Sequence, residues 1–194
     1  EGAIDSALNQ TRPPAEVIVV DDGSTDETAD LLERYGPPVR VIRQPNRGRS
    51  AARNAGLRAA TSDAVMFLDS DDLLMPRNIE RCAQVLADHP EIGVVYTDAH
   101  VIDQDGRRVG LYSQTLRGRR PSGMVFGELA RRCFLTVSSL VRRSCLAGVS
   151  FEEGMQHCED YDLWRRLAAR CCFRFLDEPL MCYRFHDGMS VAAQ

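Results

Sequence analysis

"VIVVDDGSTDET", residues 17–28, runs four apolar residues into two adjacent aspartates, a glycine and a helix-start signature. An unbroken apolar run of this length reads as a strand buried on both faces. Ser24 with Glu27 has capping-box spacing, which predicts a helix from there through about Tyr35, ended by Gly36-Pro37-Pro38. A strand that leads at once into a helix is the repeating unit of an α/β fold. Carboxylates at the end of such a strand stand where open α/β sheets bind their ligands.

The same alternation continues outward. Ile4, Ala7 and Leu8 have helical spacing before Pro13-Pro14. "VRVI" (39–42) reads as a short strand, residues 50–60 as a helix and "AVMFLD" (64–69) as the next buried strand. A helix starts near Pro76 and places Ile79, Cys82, Ala83 and Leu86 on one face. "GVVYTDAHVID" and "RRVGLYS" flank Gln104-Asp105-Gly106, a hairpin signal. The arginine-rich stretch 114–123 reads as a solvated loop. A short helix near 126–132, a strand near 135–141, a helix over 159–170 and an extended segment over 173–186 complete the pattern. No repeat or linker interrupts it, so a single domain over residues 1–194 is expected.

Composition restricts the function. The 194 residues are 44% hydrophobic and 27% charged with net charge −4, an ordinary globular balance with no global basis for nucleic-acid binding. No apolar run approaches a membrane span. The seven cysteines lack paired CxxC spacing, which argues against a zinc site or disulfide framework and for a reducing compartment. All 24 basic residues are arginine.

Two strands are predicted to end in acid clusters, Asp21-Asp22 and "LDSDD" (68–72). If the second begins extended, Asp69 and Asp71 point to one side. Paired carboxylates at that position suit Mg²⁺ or Mn²⁺, and through the cation a phosphate. A phosphoryl-relay receiver also carries an acid pair and a later aspartate. A dehalogenase-type phosphatase ends a strand in Asp-x-Asp. Both depend on a lysine, as does a P-loop, and this chain has none.

"EVIVVDDGSTDET", "NRGRSAARNAGL", "AVMFLDSDDLLMP", "EDYDLWRRLA" and "YRFHDGMS" together resemble family 2 of the inverting glycosyltransferases, in order and approximate spacing over nearly the whole chain. The resemblance implies the GT-A fold, a Rossmann-like three-layer α/β/α sandwich with a mostly parallel central sheet. It implies transfer of a sugar from a UDP-, GDP- or dTDP-linked donor to a saccharide or lipid-linked saccharide acceptor, in surface polysaccharide or glycoconjugate synthesis. That setting is cytoplasmic, at the inner face of the membrane. By the same resemblance Asp22 contacts the base or ribose, and Asp21 and Ser24 shape the turn. Asp69 reaches the ribose, and Asp71 holds the Mg²⁺ or Mn²⁺ that bridges the diphosphate. Arg53 sits near the nucleotide, Asp160 is the catalytic base with Glu159 beside it, and His186 lies near the diphosphate. The alternative is a non-catalytic module, either nucleotide-binding or receiver-like.

One departure stands out. Members of this family open with an apolar strand ahead of the helix that begins this chain, and that strand is central in their sheet. The expectation is a domain whose sheet lacks one internal strand.

Overall fold

The computed structural model describes residues 1–115 and 120–185. In chain order the elements are α1 (Gly2–Leu8), β1 (Val17–Asp22), α2 (Thr28–Leu32), β2 (Val39–Gln44), α3 (Arg49–Ala59), β3 (Ala64–Met66), β4 (Leu73–Leu74) and α4 (Asn78–Asp88). Then follow β5 (Ile92–Ile102), β6 (Arg108–Leu111), α5 (Tyr112–Thr115), α6 (Phe126–Leu129), β7 (Leu140–Arg142), a 3₁₀ turn (Arg143–Leu146), α7 (Glu159–Ala168) and β8 (Cys172–Arg184). Among the described residues no helix is long and apolar enough to cross a membrane.

The strands form two sheets. One has six strands, in the order β3-β7-β5-β8-β4 with β6 on β5; the other is β1 paired with β2. Among the described residues parallel pairing is confined to β1·β2 and β5·β8, and the other four pairings are antiparallel. The expected parallel character is thus present in part, in the two longest pairings of the fold. The chain returns through the hairpin at Gly106 and through the short strands β4 and β7 rather than only through helical crossovers.

β5 is the spine of the domain, buried on both faces. Val94 and Tyr96 join Leu163, Trp164, Leu167 and Ala168 of α7 in the larger core. Val95 turns the other way, onto Cys82 and Leu86 of α4. Period-2 alternation along β5 therefore serves two cores at once, so its apolar character is nearly continuous. Helices on both faces make the three-layer sandwich.

β1 departs from its prediction. Val17, Ile18, Val19 and Val20 are only half-buried, because β2 covers one edge and, among the described residues, no strand pairs with the other. Among the described residues β3 likewise pairs only with β7. Val17 and Met66 nevertheless pack on one apolar cluster with Ala7, Leu74, Ala99 and Met181.

Candidate active site

The turn after β1 is built by its own aspartates. Asp21 Oδ1 accepts the Ser24 N–H at 2.9 Å, and hydrogen bonding from Ser24 holds the Asp21 carboxyl below the usual range. The capping box does not form. α2 starts at Thr28, whose N–H is taken by Asp26 at 3.1 Å, leaving Ser24 to the turn. Gly23 has φ +79°, and a Cβ there would lie 2.6 Å from the Asn46 nitrogen, so the turn can press against the loop 44–48 only with glycine. Asp22 fastens that loop. Its carboxylate accepts the Gln44 amide at 2.7 Å and the N–H groups of Arg47 and Gly48 at 3.0 and 2.7 Å.

The loop delivers the chain into α3, and α3 carries the residue that joins the site. The Arg53 guanidinium donates to Asp69 Oδ1 at 2.6 Å and to Glu159 Oε1 at 2.8 Å. Burial alone would lower its pKa, but the two carboxylates outweigh that and raise it. Its cationic face lies 5.3 Å from the Phe151 ring centroid. The adjacent Asn54, buried, exchanges a pair of hydrogen bonds with the Phe151 backbone at 2.8 and 2.9 Å and reaches Glu153 at 3.0 Å. Neighbouring residues of one helix thus hold both the second acid cluster and the loop that leads into α7.

Asp69, Ser70 and Asp71 form a turn, closed by the Asp72 N–H on the Asp69 carbonyl at 3.2 Å. Strand alternation therefore does not apply to them, and β3 stops at Met66. Asp69 is aimed at Arg53. The Asp71 carbonyl and the Asp72 Oδ1 are both bound by Arg184, through its side chain and its N–H, each at 2.9 Å. Asp72 is only 2% exposed, and among the described residues its Oδ2 has no hydrogen-bond partner. Burial, reinforced by the charges of Asp69 and Asp71, pushes its carboxyl up to about 7.

α7 supplies the remaining pair. Cys158, with φ 59°, turns the chain into the helix, so that Glu159 and Asp160 open its first turn. Glu159 is buried, with Arg49 Nε at 3.6 Å as a second cation. Burial raises the Asp160 carboxyl, with Glu159 and Asp69 adding to the effect against the lowering by the Tyr161 N–H and Arg53. A helix N-terminus would by itself lower it; here desolvation wins. Tyr183 feels Asp72, Asp160 and Asp69 together, and its ring lies 5.3 Å from that of Tyr112.

The structure therefore brings Arg53, Asp69, Glu159 and Asp160 together, with Asp71 and Asp72 on the adjoining turn. Asp21, Asp22 and Ser24 stand at the end of β1, where their hydrogen bonds build the turn and fasten the loop after β2. His186 lies outside the described residues. Asn54, Tyr183 and Arg184 are additions that the sequence reading did not single out. Each had a visible signal: Asn54 follows Arg53 in "NRGRSAARNAGL", and Tyr183 and Arg184 open "YRFHDGMS".

Among the described residues no three His, Cys, Asp or Glu side chains converge as a ready cation cage. Magnesium is commonly held by one or two carboxylates, with substrate phosphates and water filling the other positions. Asp71, with Asp69 beside it, offers hard oxygen donors of that kind.

Comparison with known proteins decides the family. The model for glycosyl transferase family 2 matches residues 1–147. The chain belongs to glycosyl transferase family 2. An uncharacterised glycosyltransferase of Nostoc sp. is 31% identical over 98% of this chain and 63% of its own length. The Escherichia coli chondroitin synthase is 31% identical over 93% of this chain but only 26% of its own. This family 2 chain spans less than two thirds of these curated relatives. Among solved structures, S. aureus TarS 1-349 in complex with UDP-GlcNAc superposes with TM-score 0.77 at 22% identity, covering 99% of this chain and 57% of that one. The TarS 1-349 complex with UDP gives 0.72 over 95% and 56%. The architecture is GT-A.

Proposed function

We propose that this family 2 domain transfers a sugar from a nucleotide-diphospho-sugar to a hydroxyl acceptor, with inversion at the anomeric carbon. The observation that carries the reading is the Arg53 bridge, which joins the acid turn 69–72 to the Glu159-Asp160 pair. Two carboxylate groups far apart in sequence thereby act on one reaction. The acceptor oxygen attacks the anomeric carbon as the bond from that carbon to the diphosphate breaks, and the electron pair leaves with the diphosphate. The acceptor proton passes to the Asp160 carboxylate, whose raised pKa improves it as a base near neutrality. Attack from the face opposite the leaving group inverts the centre. Arg53 keeps Asp69 and Glu159 in place for donor and base. Asp71, with Asp69, would hold Mg²⁺ or Mn²⁺, which supplies charge stabilisation to the departing diphosphate.

The TarS complexes with UDP and UDP-GlcNAc favour a uridine donor. The chondroitin and hyaluronan synthases among the relatives favour polysaccharide synthesis with a saccharide acceptor. The test is calorimetric titration with UDP and GDP, with and without Mn²⁺, followed by single-turnover transfer. Metal-dependent binding of a nucleoside diphosphate with turnover is the expected result. Binding without turnover would leave a nucleotide-binding module. Phosphorylation by acetyl phosphate without nucleotide binding would overturn the reading in favour of a phosphoryl relay.

A further inference from the structure

Away from the carboxylates, two thiols meet across β5. Cys145 lies in the 3₁₀ turn after β7 and Cys171 follows the end of α7. Both are half-buried against the core that packs α7 on the sheet. Between them is Gly93. A Cβ at that position would sit 2.5 Å from the Cys145 sulfur, 2.6 Å from the Cys171 Cβ and 2.8 Å from the Cys171 sulfur. The two sulfurs are therefore no more than 5.3 Å apart, the sum of the two sulfur distances.

Gly93 has no left-handed φ, so the backbone does not require glycine there. Space does. A glycine inside a strand marks a close approach by another group, and here the approaching groups are two thiols. Cys172, next in sequence, turns to the opposite face and packs on the α4 core, so it does not compete for the partner.

We propose that Cys145 and Cys171 are an oxidisable pair that closes a disulfide over Gly93. With hydrogen peroxide as oxidant, one thiol becomes a sulfenic acid and releases water. The other then attacks that sulfur, forming the S–S bond and releasing a second water. Two thiols are oxidised by two electrons and one peroxide is reduced to two waters. Either sulfur can meet the oxidant first, since both are half-buried. The closed loop contains residues 151–158 and all of α7, so the bond ties the helix bearing Glu159 and Asp160 to the turn after β7.

The test treats the full chain with hydrogen peroxide, blocks remaining thiols and maps the crosslink by mass spectrometry. Titratable thiols should fall from seven to five, with dithiothreitol restoring them. The melting temperature of the oxidised form should rise by about 5–10 °C. Trypsin leaves Cys145 with Cys158, and Cys171 with Cys172, on shared peptides, so Cys158→Ser and Cys172→Ser variants assign the bond. Both should still crosslink, whereas Cys171→Ser should not, and Gly93→Ala should reduce the yield at least tenfold. If Gly93→Ala does not fold, the near-isosteric Cys171→Ser carries the test alone. A bond through Cys158 or Cys172, or seven thiols surviving in a folded chain, overturns the proposal.

Discussion

Arg53→Met tests whether one guanidinium holds the site together. The Arg53 side chain is 13% exposed and its partner Glu159 4%, whereas Asp69 is 39% exposed. Removing one member of a buried ion pair strands the other, at about 3–5 kcal/mol. Arg49, 3.6 Å from Glu159 but half-exposed, recovers part of that. The Asp69 arm, screened by solvent, adds no more than about 1 kcal/mol. A net loss of about 3 kcal/mol follows, or about 6–12 °C in melting temperature for a chain of this size. Replacing both partners by apolar residues removes the stranded charge, so Arg53→Met/Glu159→Leu should recover to within about 1 kcal/mol of the parent. Thermal and urea melts of the parent, both single variants and the double variant give the coupling directly. Arg53→Met melting within 2 °C of the parent, or a double variant no more stable than the single, would refute the bridge as the site's structural centre.

Asp160→Asn should keep metal-dependent donor binding and lose roughly 10²–10⁴-fold in single-turnover transfer, the usual worth of a general base; undiminished transfer would exclude it. The carboxyl's folded pKa lies above its unfolded value of 3.8, so its ionisation removes stability as pH rises from that value through the raised one. The Asn variant should lack this loss and gain on the parent above that window, and transfer by the parent should decline as pH falls through it. Asp71→Ala should abolish the metal-dependent part of nucleotide binding by calorimetry; a silent Asp71→Ala with a damaging Asp72→Ala would move the cation site by one residue. An apolar strand joined ahead of α1 should enter between the open edges of β1 and β3, raising melting temperature and nucleotide affinity together. Burying five such side chains is worth about 7–15 kcal/mol, and a chain that is fully active and melts cooperatively at an ordinary temperature without the strand would refute this.

The fold was legible where side-chain period alone decides the element. β5 and α4 carry apolar residues at spacings only one conformation can bury, and both lie close to where the pattern puts them. Reading failed where polar side chains choose between competing partners. Ser24 and Glu27 have capping-box spacing, yet Asp21 takes the Ser24 N–H for the preceding turn and Asp26 takes over at the helix start. The alternation argument for Asp69 and Asp71 failed for a related reason. It assumed that β3 continued, whereas the chain turns at Asp69 to place Asp72 under the Arg184 backbone. The half-buried state of Val17 to Val20 was not visible in an unbroken apolar run, because burial of a strand depends on neighbours as well as on its own residues.

The site shows the same division between type and partner. Acids at strand ends, an arginine on a helix and an acid pair opening another helix could each be read one at a time. That Arg53 serves Asp69 and Glu159 simultaneously could not, since the three residues meet only when α3 and α7 converge beyond the end of β3. The protonation of Asp160 depends on this same convergence. A carboxylate in the first turn of an exposed helix is held acidic by the helix dipole. Packing that turn beside Glu159 and near Asp69 adds burial and like charge, and the direction reverses. A base tuned this way needs its neighbours more than its own position, so loss of Arg53 should disturb Asp160 as well as Glu159. In the Arg53→Met variant the pH profile of transfer should therefore shift to higher pH, because a nearby cation that favours the ionised carboxylate is gone. A shift to lower pH would mean that Asp160 had escaped into solvent when the bridge broke, and that burial rather than charge was what Arg53 maintained.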